Sequence, residues 1–276
     1  MKLSPGLLFQ VFKYAVYGLL TLNIVLFFFE DHAASMVKYT GGLTPALILE
    51  GYAASIDTSA WVILLLLFEL ETFILDDEQL TPGVNRVIFA VKAFAFAFIA
   101  FAFFGYLQTT FSAYKLYAAP EVTALCDVAD RGQLYAIDES EYEAITTANC
   151  RELSEATSFE RFEDSDALVD QAGAVHIQRL AWTDLINSGV WILIVILLEI
   201  DVLLQERRRF VGVAYRTSMA LKGVFYPTLF LAAVYWGVKG DFVDFWDAFL
   251  WLVAFLFIEN NIREWRDESQ AQGVPG

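Results

Sequence analysis

The chain reads as an all-α, polytopic membrane protein. It has about six transmembrane helices arranged as three similar two-helix units, plus a small extracytoplasmic region. Three observations predict this. Apolar residues fill 57% of the 276 positions and mean hydropathy is +0.50, and these residues gather into blocks of roughly 20, the length that crosses a hydrocarbon core of about 30 Å as a helix. The blocks are continuous rather than alternating in polarity, which excludes a barrel, the other architecture that satisfies every backbone group in lipid. Finally, the blocks repeat one another at a fixed spacing.

In chain order the predicted spans are 9–29, 60–75, 87–107, 185–204, 219–238 and 245–259. Short polar connections separate most of them. The exception, 108–180, is an acidic region in its own right, so the chain divides into 1–107 (helices one to three), 108–180, and 181–276 (helices four to six and a short tail). The first block is long and is interrupted by Lys13, so a membrane helix is preferred to a cleaved leader.

Basic residues in the short connections set the orientation. Arg207, Arg208 and Arg209, with Arg216, fall between spans four and five. Arg86 falls between spans two and three, Lys2 before span one, and Arg263 and Arg266 after span six. With six spans all lie on one side, which should be the cytoplasm. The chain is therefore expected in the cell membrane (the inner membrane in a bacterium), with both termini cytoplasmic and 108–180 outside.

The formal net charge of −16 arises mostly in that acidic region, and no basic stripe with interleaved aromatics supports nucleic-acid binding. The chain's two cysteines, Cys126 and Cys150, both fall there. An oxidising compartment favours a bridge between them, worth roughly 3 kcal/mol to the region. One acidic run holds Asp138, Glu139, Glu141 and Glu143, and another holds Glu160, Glu163, Asp164 and Asp166. They read as solvated faces, without the ordered oxygen spacing of a calcium loop. Asp138 followed by Glu141 suggests a helix cap.

The repeat is the most informative feature. A shift of 130 positions places Trp61 on Trp191, Glu69 on Glu199, Glu71 on Asp201, Arg86 on Arg216 and Lys92 on Lys222, without a gap. Apolar matches between membrane helices carry little weight, but matched Trp, Glu, Arg and Lys in one register carry much more. A third, partial copy has Trp251 eight positions before Glu259, with Asn261 in place of the second acid. Span one carries Lys13 with Tyr17 four residues on, as Lys222 has Tyr226 and Lys92 has Phe96. Spans two, four and six thus carry Trp then Glu, and spans one, three and five an early Lys. The units pair two with three, four with five and six with one, in a bundle of approximate threefold symmetry.

Helix rise places the charges. Lys92 and Lys222 lie six residues inside Arg86 and Arg216, and Glu69 seven residues before Asp76, so all sit about 10 Å from the cytoplasmic boundary. Lys13, Lys92 and Lys222 share this layer with Glu69, Glu71, Glu199, Asp201 and Glu259. The tryptophans Trp61, Trp191 and Trp251 lie about 12 Å further out and read as packing or interface anchors.

Charge at such depth costs at least a few kcal/mol per residue unless paired or wetted. Two acids two positions apart point about 200° apart, so the first of each pair should face the bundle interior and the second a neighbouring helix. Lys222 is expected to meet Glu199 or Glu259.

Three functions are consistent with this layer. It conducts protons or cations in a small channel or transporter; it is a set of structural ion pairs in a non-catalytic scaffold or accessory subunit; or it docks a partner subunit. In the scaffold reading the outer region binds a protein partner. No catalytic constellation, metal set or cofactor motif points to an enzyme, and the two histidines, His32 and His176, are placed in outer loops. Ala93, Ala97 and the other alanines between the phenylalanines of span three are expected to allow close helix approach, and Pro227 to kink span five.

Overall fold

A computed structural model describes residues 5–39, 42, 44–75, 79, 81–138, 140–163, 165–206, 212–239 and 241–271. Lys2, Asp76, Glu139, Asp164 and Arg207–Arg209 lie outside the described residues, as do the side chains of Glu259, Asn261, Arg263 and Arg266. The fold is mostly helical: α1 (Pro5–Lys38), α2 (Pro45–Gly51), α3 (Ala53–Glu69), α4 (Pro82–Ser112), a short α5 (Cys150–Leu153), α6 (Gln171–Glu206), α7 (Val213–Lys239) and α8 (Phe242–Ala271). Among the described residues, four helices are long and apolar enough to cross a membrane, within Leu7–Lys38, Pro82–Ser112, Gln171–Asp201 and Val213–Lys239. The chain forms two compact units, Ile24–Leu185 and the remainder, with α1 and α6 divided between them.

In the Ile24–Leu185 unit, threonine caps and prolines start α2 and α4. Thr44 accepts from Leu47 N ahead of Pro45, and Thr81 from Val84 N ahead of Pro82, so an orphan amide is satisfied where proline lacks one. After Glu69 the helix widens into a π-helical turn, Leu70–Ile74, that contains Glu71. Helix α4 packs on α2 and α3. The contact depends on Gly105: a Cβ there would meet the Leu49 carbonyl oxygen at 2.6 Å and the Ala53 Cβ at 2.9 Å. Ala95, Ile99 and Ala102 complete the buried face, whereas Ala93 and Ala97 are exposed. The expected close-approach face of span three is therefore rotated: phenylalanines surround this helix, so only the buried alanines and Gly105 serve.

The end of α1 is tied to the α2–α3 junction by polar contacts. Asp31 accepts from Ser55 N (3.0 Å) and Oγ (2.6 Å), Ser35 Oγ donates to the Gly51 carbonyl (3.2 Å), and Lys38 Nζ lies 3.0 Å from Glu50 Oε1. His32 Nδ1 is 2.9 Å from the Tyr52 hydroxyl. Both histidines stand on helices, His32 on α1 and His176 on α6, which corrects their placement in loops: these helices run well past the apolar blocks.

The interval between α4 and α6 is not all-α, a second correction. It holds a five-stranded sheet in the order β1 (Leu116–Ala118), β4 (Glu160–Phe162), β5 (Leu168–Val169), β2 (Leu134–Ala136), β3 (Tyr142–Ala144), antiparallel except where β2 meets β5. Asp138 caps no helix. Its Oδ1 accepts from Ser140 N (2.8 Å) and Glu141 N (2.7 Å), closing the β2–β3 hairpin, the local bonding that aspartate favours in turns. Cys126 and Cys150 form a disulfide with a Cα–Cα distance of 5.1 Å, beside a core of Val122, Leu125, Tyr135, Ile145, Phe159 and Leu168.

A second cluster, including Ala136, Val169, Ala174 and Ile177, joins the sheet to α6. Asp170 caps α6, accepting from Gly173 N at 2.7 Å, and also accepts from Ser154 Oγ. Burial, with the Asp170 charge nearby, pushes the Tyr135 hydroxyl up to about 12. At the junction with the helices, Thr110 Oγ1 donates to the Ala181 carbonyl (3.1 Å), and Trp182 Nε1 donates to the Tyr114 hydroxyl (3.1 Å).

Candidate functional site

The residues predicted to form a charged layer stand on three helix pairs, each described within its own compact unit. In the first, Lys92 of α4 donates to Glu71 Oε2 across the α3–α4 hairpin. Glu69, two positions earlier, is 2% exposed. In the second, Lys222 Nζ of α7 lies 3.2 Å from Asp201 Oδ2 of α6. Ser218, one turn before Lys222 and so on the same face of α7, donates to that oxygen at 2.6 Å.

The second acid of the motif therefore meets the lysine in both hairpins, at positions related by the same shift of 130. The described partner of Lys222 is Asp201 rather than Glu199; the other acid expected there, Glu259, has its side chain outside the described residues. A helix that turns one acid inward turns the acid two positions on toward the next helix. The two first acids differ: Glu69 is buried and Glu199 is exposed.

The third pair joins α1 to α8. Phe9 and Phe12 set their rings edge-on to Phe257, with centroids 5.2 and 5.6 Å apart. Asn23 Nδ2 donates to Asp247 Oδ1 at 2.7 Å. Lys13 is 2% exposed, its ammonium 5.0 Å from the centroid of the Tyr14 ring.

The repeat tryptophans Trp61, Trp191 and Trp251 are all buried. Trp191 packs on Phe255 with centroids 4.5 Å apart. The residue three before each tryptophan is small and buried: Thr58, Ser188 and Ala248. Small residues there let helices approach.

A further polar position lies four residues before each tryptophan, at Asp57, Asn187 and Asp247. Nothing in the sequence reading singled it out, although the same alignment contains it. The signal was an acid or amide one turn from every repeat tryptophan. Asn187 Oδ1 and Ser188 Oγ are buried and have no hydrogen-bond partner among the described residues. Among the described residues no group of three or more His, Cys, Asp or Glu is placed to hold a metal ion.

Among the described residues, the two Lys–acid pairs, Lys92–Glu71 and Lys222–Asp201, are compensated charges. Compared with known families, curated proteins and solved structures, the chain matches none.

Proposed function

We propose that this chain is a six-span membrane scaffold or accessory subunit. In this reading it is built from three similar helical hairpins, its Lys–acid pairs fix the register of neighbouring helices, and its disulfide-bonded sheet region faces outward to meet a protein partner. Both termini are cytoplasmic, and the lipid bilayer is the first partner. The six spans are the four apolar helices together with α3, extended by its π-helical turn, and α8.

The observation that carries the reading is the equivalence of Lys92–Glu71 and Lys222–Asp201. Each lysine is matched by an acid on the preceding helix, as a clamp requires and as a pathway needing titratable, accessible carriers does not. The α1–α8 contacts support closure of the third unit. The disulfide supports an oxidising compartment for the sheet region, on the side opposite the basic connections.

The test is a pair of variants. Removing one partner of a buried pair is strongly destabilising, while replacing both by apolar groups can be neutral. Lys222→Met should lower detergent thermal stability, and Lys222→Met with Asp201→Leu should restore it together with cellular activity.

A second reading, conduction of protons or cations, draws support from the buried Asn187 and Ser188 oxygens and the Asn23–Asp247 pair, which would line a wetted path. It expects flux in liposomes from the wild-type chain and a stable but inactive double variant. A stable, fully active double variant removes it.

A further inference from the structure

Helix α6 presents an exposed stripe made by Leu193, Ile196, Ile200 and Leu203, at the alternating three- and four-residue spacing of one helix face. Glu199 lies in that stripe, three positions after Ile196 and four before Leu203, and is itself exposed. Among the described residues it makes no hydrogen bond or ion pair. It stands five residues before Leu204, about 8 Å along the helix.

A carboxylate on an apolar, lipid-facing stripe is costly, and acids inside spans normally turn to a bundle interior, a wet cavity or a cationic partner. Glu69, its repeat counterpart, is 2% exposed. The repeat therefore breaks its own pattern at Glu199, leaving a negative charge where a clamp or a core position is expected.

We infer that the Glu199 stripe of α6 docks a membrane-spanning helix of another protein that carries a lysine or arginine at matching depth. The inference rests on the scaffold reading and names its membrane partner by chemistry. Charge complementarity selects the occupant. A second copy of this chain is a poorer match, because in its layer Lys92 and Lys222 already hold Glu71 and Asp201, and Lys13 is buried. A purely apolar helix would bury the carboxylate without a counter-charge, the arrangement that low dielectric penalises most.

The experiment places the full chain in liposomes with a fluorescent Leu/Ala spanning peptide that bears a single arginine about 8 Å inside one apolar boundary. Association is read by energy transfer and compared with the same peptide carrying leucine there. The arginine peptide should bind about tenfold more tightly than the leucine peptide. Glu199→Leu should abolish the difference and Glu199→Asp should keep most of it. Glu199→Leu should also unfold at the wild-type temperature, because Glu199 makes no hydrogen bond or ion pair among the described residues. Equal binding of the two peptides overturns the inference. So does a preference that survives Glu199→Leu, a lowered unfolding temperature for that variant, or a wild-type homodimer that Glu199→Leu dissolves. Ion flux in the same liposomes keeps the two failures apart. Flux lost in Glu199→Leu defeats the scaffold reading itself, whereas no flux and no peptide preference defeats only the docking inference.

Discussion

The α3–α4 and α6–α7 hairpins carry the same motif in the same register but hold it differently. In α6–α7 the lysine and acid side chains are 12% and 10% exposed, and the Ser218 hydroxyl reinforces the acid. In α3–α4 they are 35% and 27% exposed, no serine stands at the matching position, which is Ile88, and the acid sits in a π-helical turn. The α3–α4 hairpin has instead a close approach of α4, at Gly105, to the Leu49 carbonyl of α2 and the Ala53 Cβ at the start of α3. Matched positions in the two hairpins thus bring the same residue types together, while local packing sets how much each meeting contributes, because an ion pair's cost of rupture grows with its burial.

Four variants test that contrast, from the largest expected effect to the smallest. Lys222→Met should destabilise by about 3–5 kcal/mol, since it strands Asp201 in a buried site; thermal unfolding in detergent reads it, and recovery in the double variant with Asp201→Leu identifies the cause. Gly105→Val should cost about 1–3 kcal/mol by overpacking, and cross-linking between cysteines placed on α3 and α4 should weaken with it. If Gly105→Val were neutral, close approach would not be what holds that hairpin. Ser218→Ala should cost about 1.5 kcal/mol, the lower end for a hydrogen bond to a charged acceptor, measured in the same unfolding assay. Lys92→Met should cost about 1 kcal/mol or less, as for a partly solvated pair. An effect of Lys92→Met equal to that of Lys222→Met would erase the difference between the hairpins.

The helices were legible because their apolar blocks are long and uninterrupted, and the lysines and acids because they recur at one shift. What stayed hidden was orientation about each helix axis. Span three is phenylalanine and alanine on every side, so no apolar stripe separates buried Ala95 and Ala102 from exposed Ala93 and Ala97. The partner of Lys222 was hidden for a related reason: Glu199 and Asp201 are both acids, and only packing decides which faces α7. The strands have two or three residues each, too few for alternation to register. Asp57, Asn187 and Asp247 were readable in the alignment, since each precedes its tryptophan by one turn, but polar residues near predicted span ends resemble ordinary boundary residues until burial is seen.

The bond between Asn23 and Asp247 joins positions 224 residues apart. A ribosome adding about 5–20 residues per second adds Asn23 roughly 11–45 s before it supplies the aspartate that Asn23 needs. During that interval α1 carries the Asn23 amide with its partner on α8 still unmade. Synthesis of this chain would therefore include a waiting period in which the Asn23 amide must be shielded, whether by other proteins or by neighbouring helices, until α8 is made.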